Sequence, residues 1–410
     1  MTKTKLMIFA EGVSTAHPTR MWELAKLLDP TCFEVFFATS KKYHSLLSPC
    51  PSIQKLDLET IPTDTFNQRL FHADFPYSCK ELLELIAQDE FLLKKYSPDI
   101  VISDFRLTAF YSTKKLNIPL INIIQFHWRP DFKKEMVIPF IKPVALFGRT
   151  LSKLLQPFVE PMILNKQLNQ INKLQKMFNL KPFANIFEFY CYADYFLYPD
   201  LPSLFEEQQL NHNENFIGPL FWKNTETPWP KEWPQSFKKP CVYISMGSTG
   251  YQGVIPKLLN FFKKENFEII LSIGNTTYSE KLLNDVYYSS FIPADAAIRK
   301  ADLVVCNGGT SSTYHAISLG KPILAVPSNL DQNLHSFQLH KKHLAEVIPP
   351  DQLSLSLLKQ KTEILLTSPE VRKAICQAQQ ELQYLPQKEL LKIFIEKIPL
   401  LKKKLLQSAR

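Results

Sequence analysis

Glycine is scarce in this chain, 10 in 410 residues, against a usual share of about 7%. Scarcity makes placement informative: six of the ten are Gly247, Gly250, Gly253, Gly308, Gly309 and Gly320. The seven cysteines are odd in number and form no C-x-x-C pair. That argues against a disulfide framework or a zinc site and for free thiols in a reducing compartment. No apolar run is long enough to span a bilayer. The start, M-T-K-T-K-L-M-I-F-A-E, has too few apolar residues for a signal peptide. A cytoplasmic location is expected, either free or peripheral on the inner face of the membrane. The net charge of +9 permits anionic partners, but the positive charge gathers in the tail, so no nucleic-acid partner is expected.

What is present describes a folded globular protein, 45% apolar and 21% charged, with length enough for two domains. The most informative stretch is 291–332. Leu303–Cys306 is all apolar, as a strand covered on both faces is. Asn307, Gly308 and Gly309 turn the chain at its carboxyl end, and Thr310 or Ser311 can cap a helix running to about Leu319. Gly320 then stops that helix, and a second buried strand covers 323–326. Backbone N–H groups at the glycines, with the positive helix end, make a seat for an anion such as a diphosphate. A second glycine turn, Gly247 to Gly253, follows an apolar strand over 242–245. Two such turns in one parallel sheet imply a single ligand held across a crevice; the alternative is tight turns that hold none.

The amino-terminal half alternates strands (5–10, 33–38, 100–103 ending at Asp104, 120–124) with helices (18–28, 82–95, about 108–116), which implies a parallel sheet. A loop with Gly12, Ser14 and His17 follows the first strand. Residues 136–164 are apolar but carry Pro139, Pro143, Pro157 and Pro161, with Lys142, Arg149 and Lys153 between them. They read as broken helices that cover the core, line an apolar pocket or touch a membrane. The chain divides into an α/β domain at 1–219, a linker rich in Trp, Pro and Lys at 220–238, a second α/β domain at 239–368 and a helical tail at 369–410. Lys388, Lys392, Lys397, Lys402, Lys403, Lys404 and Arg410 accompany an apolar side in that tail. It either binds an anionic bilayer or packs back across the first domain. His335, His340 and His343 share one expected helix, where a solvated face is the simpler reading than a metal site.

These motifs resemble the family 1 glycosyltransferases, the UDP-glycosyltransferase superfamily, in its bacterial branch. Phe291-Ile-Pro293, Asn307-Gly-Gly, Gly320-Lys-Pro322 and Asp331-Gln332 stand in the family's order, and Val242-Tyr-Ile-Ser-Met-Gly-Ser248 and Phe216-Ile-Gly-Pro219 are similar to its upstream motifs. From His17, Leu24-Ala25 fall in the register of its amino-terminal motif. The resemblance implies the GT-B fold, an α/β class with two Rossmann-like domains facing each other across a cleft. Its residue roles carry over position by position. Phe291 matches the Trp that stacks on the base. Gly308, Gly309, Ser311 and Ser312 match the diphosphate loop, with Gly247 and Ser248 beside it. Asp331 and Gln332 match the pair on the sugar hydroxyls. Asn307 stands for the usual His, His315 for a ribose-binding Glu, Arg20 for a Pro, and Ala294 for the Gln after Phe291.

The implied activity is an inverting, metal-independent transfer from a nucleotide-sugar, expected to be a UDP-hexose, to a hydroxyl of an apolar small-molecule or lipid acceptor. No cofactor is expected, the nucleotide-sugar being a co-substrate. His17, in a loop at a strand's carboxyl end, suits a general base, and Asp104 at the same sheet edge suits its orienting partner. Leaving-group charge would fall on the glycine-loop N–H groups. Two alternatives stay open: an inactive GT-B auxiliary protein, for which Asn307, His315 and Arg20 speak, and an epimerase-like GT-B enzyme.

Overall fold

A computed structural model describes residues 3–133, 137–223, 227–274 and 276–408, with side chains described through Ile398. Seven parallel strands form the first sheet: β1 (Thr4–Ala10), β2 (Phe33–Thr39), β3 (Ile53–Asp57), β4 (Ile100–Asp104), β5 (Leu120–Ile123), β6 (Tyr195–Tyr198) and β7 (Glu214–Phe216), in the order β3-β2-β1-β4-β5-β6-β7. The apolar run of β1 is buried on both faces because Leu6 and Ile8 enter one core cluster and Met7 and Phe9 another. Helix α1 (Ala16–Leu27) leaves the carboxyl end of β1 and buries Trp22, Leu24 and Ala25.

Residues 136–164 fold otherwise than expected. Helix α2 (Lys142–Phe147) has Pro143 in its first turn, where a missing N–H costs nothing. After Gly148, α3 (Arg149–Met177) runs unbroken for 29 residues, straight through Pro157 and Pro161. The prolines cost it two backbone bonds, but Lys153 and Pro157, whose carbonyls are freed, are exposed residues that water can reach. The short α4 (Ile186–Tyr190) packs against it. Met136, the first residue of that stretch, lies outside the described residues.

The second sheet also has parallel strands: β8 (Cys241–Ser245), β9 (Glu268–Ser272), β10 (Tyr287–Ser289), β11 (Leu303–Cys306), β12 (Ile323–Ala325) and β13 (Ala345–Val347), ordered β10-β9-β8-β11-β12-β13. Helices α5 (Thr310–Ser318) and α6 (Leu330–Lys341) follow β11 and β12. The two sheets, flanked by helices, are the two Rossmann-like halves of a GT-B architecture.

Helix α7 (Gln387–Ser408) returns to the first domain. Leu391, Phe394, Ile395 and Ile398 join Trp22, Leu24 and Ile217 in its core, and Gln387 Nε2 donates to the Pro219 carbonyl at 2.9 Å. Most of the apolar side that could have met a bilayer is therefore spent as far as Ile398, Ile393 remaining 48% exposed. Lys402, Lys403, Lys404 and Arg410 lie outside the described side chains. Of the three histidines near α6, His340 and His343 are exposed, as a solvated face requires, and His335 is the exception. His335 is fully buried and bonded to Thr313 Oγ1 at 2.9 Å, while His343 falls beyond the end of α6.

Candidate functional site

Each sheet reverses its strand order once, between β1 and β4 and between β8 and β11. Crevices for ligands open at such points, outside the carboxyl ends of the strands. Here the two crevices face each other across one cleft of about 1030 Å³. Ala10 pairs in register with Asp104 on the first sheet, and Ser245 with Cys306 on the second. Asp104, Ser245 and Cys306, which end three of these strands, all line the same cavity.

On the first domain, the turn into α1 carries His17 and the end of β4 carries Asp104. His17 Nδ1 lies 3.0 Å from Asp104 Oδ1. Arg20, one turn further along α1, donates through Nε and Nη2 to the two Asp104 oxygens at 2.5 and 2.6 Å. Burial raises the Asp104 pKa less than the Arg20 guanidinium and His17 lower it, so the carboxylate is held well below its usual range. Arg20 Nη2 is also 3.2 Å from His17 Nδ1. The ionised Asp104 carboxylate can only accept, so its 3.0 Å contact requires the proton on Nδ1, and the Arg20 Nη2 group, itself a donor, makes no bond across the gap to Nδ1. Nδ1 then carries the imidazole proton and donates to Asp104, leaving the Nε2 lone pair to the cleft that the ring lines.

Phe105 holds this arrangement from the side. Its φ of 57° is a left-handed conformation rare for a bulky residue. The turn sets its ring parallel to that of His17, with centroids 5.1 Å apart. Phe66 meets it at right angles and Tyr190 stacks nearly parallel to it, and with Phe110, Phe189 and Tyr192 they form an aromatic wall to the cleft.

On the second domain, Gly308 has φ 73°, and a Cβ there would sit 2.0 Å from Ser336 Oγ, so the turn admits only glycine. Asn307 Oδ1 accepts from the Gly309 N–H at 3.0 Å. Gly309 is itself the cap residue of α5, and neither Thr310 nor Ser311 caps as expected. Thr310 Oγ1 instead accepts from Arg20 Nη1 at 3.3 Å and from Gln125 Nε2 at 3.4 Å, both across the cleft. Ser311, Ser312, Gly247 and Ser248 line the cavity around this helix end. Ser248 also meets the first domain, its Oγ accepting from Thr15 N at 3.4 Å and its carbonyl from Asn67 Nδ2 at 3.0 Å.

Phe291 lines the far end of the cleft, 41% exposed, its ring 5.8 Å from that of Trp222. Ala294, in the position after Ile-Pro, lines the wall beside it. His315 is buried and stacked on Phe221 at 5.2 Å. Its Nε2 lies 3.3 Å from Asp295 Oδ1, but burial outweighs that carboxylate and keeps the imidazole pKa below its ordinary value.

Asp331 and Gln332 part company. Asp331 opens into the cleft, its side chain 39% exposed. Its Oδ1 is taken by His127 Nε2 at 3.1 Å and Trp128 Nε1 at 2.8 Å. Burial works against its charge, yet these contacts keep its pKa well below normal. Gln332 is turned inward: Oε1 accepts from Ser328 N at 2.9 Å and Nε2 donates to Thr249 Oγ1 at 3.1 Å. Its carboxamide closes the capping box of α6 with Asn329, so although both residues line the cavity, Asp331 is the more exposed of the pair.

His127, Trp128, Phe105 and Arg20 are the site residues to which sequence reasoning gave no role. F-H-W follows β5 after Ile124 and Gln125, and a polar or aromatic triplet near a strand's carboxyl end was the available signal. No group of three or more His, Cys, Asp or Glu among the described residues could hold a metal ion.

Comparison with known proteins fits this geometry. A family model described as glycosyltransferase family 28 C-terminal domain matches residues 241–388. A PGL/p-HBAD biosynthesis rhamnosyltransferase of Mycobacterium bovis is 29% identical over 335 residues, 81% of this chain and 74% of the relative. An inactive PGL/p-HBAD biosynthesis glycosyltransferase of the same species is 26% identical over 63% of this chain and 70% of its own length. Among solved structures, spinosyn rhamnosyltransferase complexed with thymidine diphosphate superposes with TM-score 0.63 at 15% identity, over 95% of this chain and 99% of that one.

Proposed function

The chain is a family 1-like GT-B glycosyltransferase of bacterial type, and from that premise we propose that it moves a sugar from a pyrimidine nucleoside-diphosphate donor to a hydroxyl of an apolar acceptor, with inversion. The observation that carries the reading is the His17–Asp104 pair, 3.0 Å apart, set against the helix end at Gly308–Gly309 across one cavity. The aromatic wall of Phe66, Phe105, Phe110 and Tyr190 suits an apolar or aromatic acceptor with its hydroxyl near His17 Nε2.

His17 Nε2 takes the hydroxyl proton as the oxygen attacks the anomeric carbon. Asp104 holds the ring and stabilises the imidazolium that forms. Charge on the departing diphosphate falls on the backbone N–H groups of the glycine turn and the first turn of α5, a nine-residue helix. No step in this scheme calls for a metal. Attack from the face opposite the diphosphate inverts the anomeric centre. Phe291 stacks on the base, and Asp331 Oδ2 accepts from a sugar hydroxyl. A UDP-hexose is the expected donor. The rhamnosyltransferase names of the relatives add deoxyhexoses, and the thymidine diphosphate complex adds a second base to try.

The test is thermal stabilisation by UDP and thymidine diphosphate, followed by transfer from the sugar donors into extracted lipids and phenolic aglycones, with the product anomer read by NMR. A product of retained configuration would refute the mechanism, and absence of nucleotide-induced stabilisation would refute the donor site. A second reading, an inactive member of the fold, is favoured by one observation: a glycosyltransferase described as inactive is among the similar proteins, 26% identical over 63% of this chain. Donor hydrolysis by the purified protein excludes it.

A further inference from the structure

The α2–α3 segment wears its polarity inside out. Leu151, Leu154, Leu155, Phe158 and Met162 recur at helical spacing along the first half of α3, and all are exposed, Leu154 to 71% and Phe158 to 77%. Leu146 and Phe147 of α2 extend the same exposed surface at 66% and 65%. The inward side of these turns holds Gln156, which is buried with its Oε1 unpartnered and its Nε2 on Glu160 at 2.8 Å. A surface helix of a globular protein does the reverse. Contiguous exposed apolar side chains of this size mark a docking surface.

Charge and shape say what docks. Across 142–163 the chain carries Lys142, Arg149 and Lys153 against the single acid Glu160. Arg149 is tied to Asp351 at 2.8 Å and Glu160 to Gln156, whereas Lys142 and Lys153 are exposed beside the stripe. Cations flanking an apolar helix face complement an anionic lipid surface. A second copy in two-fold contact would bring Lys153 towards Lys153 with no free acid to answer it. No described helix is long and apolar enough to cross a membrane, so the contact such a face offers a bilayer is a peripheral one. Behind the stripe, a cavity of about 500 Å³ runs between α3 and α4, lined by Pro157, Pro161, Leu164, Leu168, Ile186 and Phe187. Phe187 packs 5.8 Å from Trp128, the residue that holds Asp331. A hydrocarbon chain entering there comes within one ring of the reaction cleft.

We propose that α2 and the first half of α3 are the surface by which this protein docks on an anionic lipid bilayer. The proposal rests on the apolar-acceptor reading above and deepens it, placing the acceptor's source in the lipid phase. Its test is flotation of the full chain with vesicles of phosphatidylcholine and phosphatidylglycerol, compared with phosphatidylcholine alone. Wild type should float with the anionic vesicles, and Leu154→Glu/Phe158→Glu should partition at least about 100-fold more weakly. Lys142→Ala/Lys153→Ala should lose the preference for anionic vesicles. Both variants should keep the wild-type melting temperature and nucleotide-induced stabilisation, since neither touches the cleft. Wild type left in the soluble fraction overturns the proposal, as does a double glutamate variant that floats like wild type. A wild-type dimer that the glutamates split, without flotation, makes the face an interface between copies and also overturns it. Flotation without any nucleotide-induced stabilisation sinks the donor reading alone and supports the docking surface.

Discussion

Asp104→Asn tests the wiring of the site more sharply than removal of His17. The carboxylate is 1% exposed and takes two bonds from Arg20 besides the one from His17. An amide keeps the shape, but it leaves the Arg20 guanidinium, 3% exposed, with no carboxylate in contact. Removing one partner of a buried ion pair costs about 3–5 kcal/mol. For a domain of this size about 2–4 °C follows each kcal/mol, so the melting temperature should fall by about 6–20 °C. Arg20→Met/Asp104→Asn removes both charges and should recover most of that loss, to within about 1–2 kcal/mol of wild type. Thermal and urea unfolding of the two variants measure the difference. If Asp104→Asn melts within about 2 °C of wild type, or the double variant is no more stable than the single, Arg20 is not what makes the carboxylate obligatory. The recovered double variant then supplies a folded background on which the orienting role of Asp104 is read from single-turnover rates.

His17→Ala should slow single-turnover transfer about 10²–10⁴-fold with nucleotide affinity near wild type, because the donor sits mainly on the second domain; full transfer in this variant rules out the base. Phe291→Ala should weaken nucleotide binding by about 1 kcal/mol, read by calorimetry, and unchanged affinity in a folded variant removes the stacking role. His335 is buried and its pKa pushed down to about 3, so between that value and an unfolded value of about 6.5 the unfolded chain binds the extra proton. Stability from this group is present above that upper value and drains as pH falls through the window. His335→Gln should flatten unfolding free energy measured across pH 7 to 4.5, and an unchanged slope contradicts the assignment. Truncation before Gln387 removes Leu391, Phe394, Ile395 and Ile398 from the core, at about 1.5–3 kcal/mol each, so a truncated chain that melts like wild type would mean α7 contributes nothing to the first domain.

The second domain was legible because its signals are local. A buried strand, a glycine turn and a helix start occupy consecutive residues, and Gly308 must be glycine for reasons its own backbone imposes. The first domain was legible in outline, β1, β2, β4 and β5 falling where apolar runs placed them, while β3 and β7 are edge strands that mix polar with apolar residues and were passed over together with β6. Residues 136–164 misled because proline content signals a break, and propensity alone does not tell that exposed carbonyls let α3 continue. The roles of Arg20, Gln125, His127 and Trp128 could not be read at all. Each takes its meaning from a residue more than 80 positions away, usually in the other domain. Gln332 shows how a motif position can carry a structural task as well: it lines the cleft and also caps its own helix.

Those cross-cleft contacts change what the departures from the family pattern signify. Arg20 joins Thr310 at the start of α5 to Asp104 on β4, so one side chain ties the proposed diphosphate seat to the carboxylate behind His17. His127 and Trp128 do the same for Asp331, filling Oδ1 from the first domain and leaving Oδ2 to the cavity. A decayed site would be expected to lose such pairings first, since they stabilise neither domain's own core. Here both are made at hydrogen-bonding distance, and the His127 imidazole is buried with Nδ1 unpartnered to keep one of them. Leaving a buried acceptor bare costs about 1–3 kcal/mol, and the bond to Asp331 is what offsets it. Replacing a Pro by Arg20 therefore reads as a different way of holding the same two reacting groups, and it favours a working transferase over an inactive scaffold.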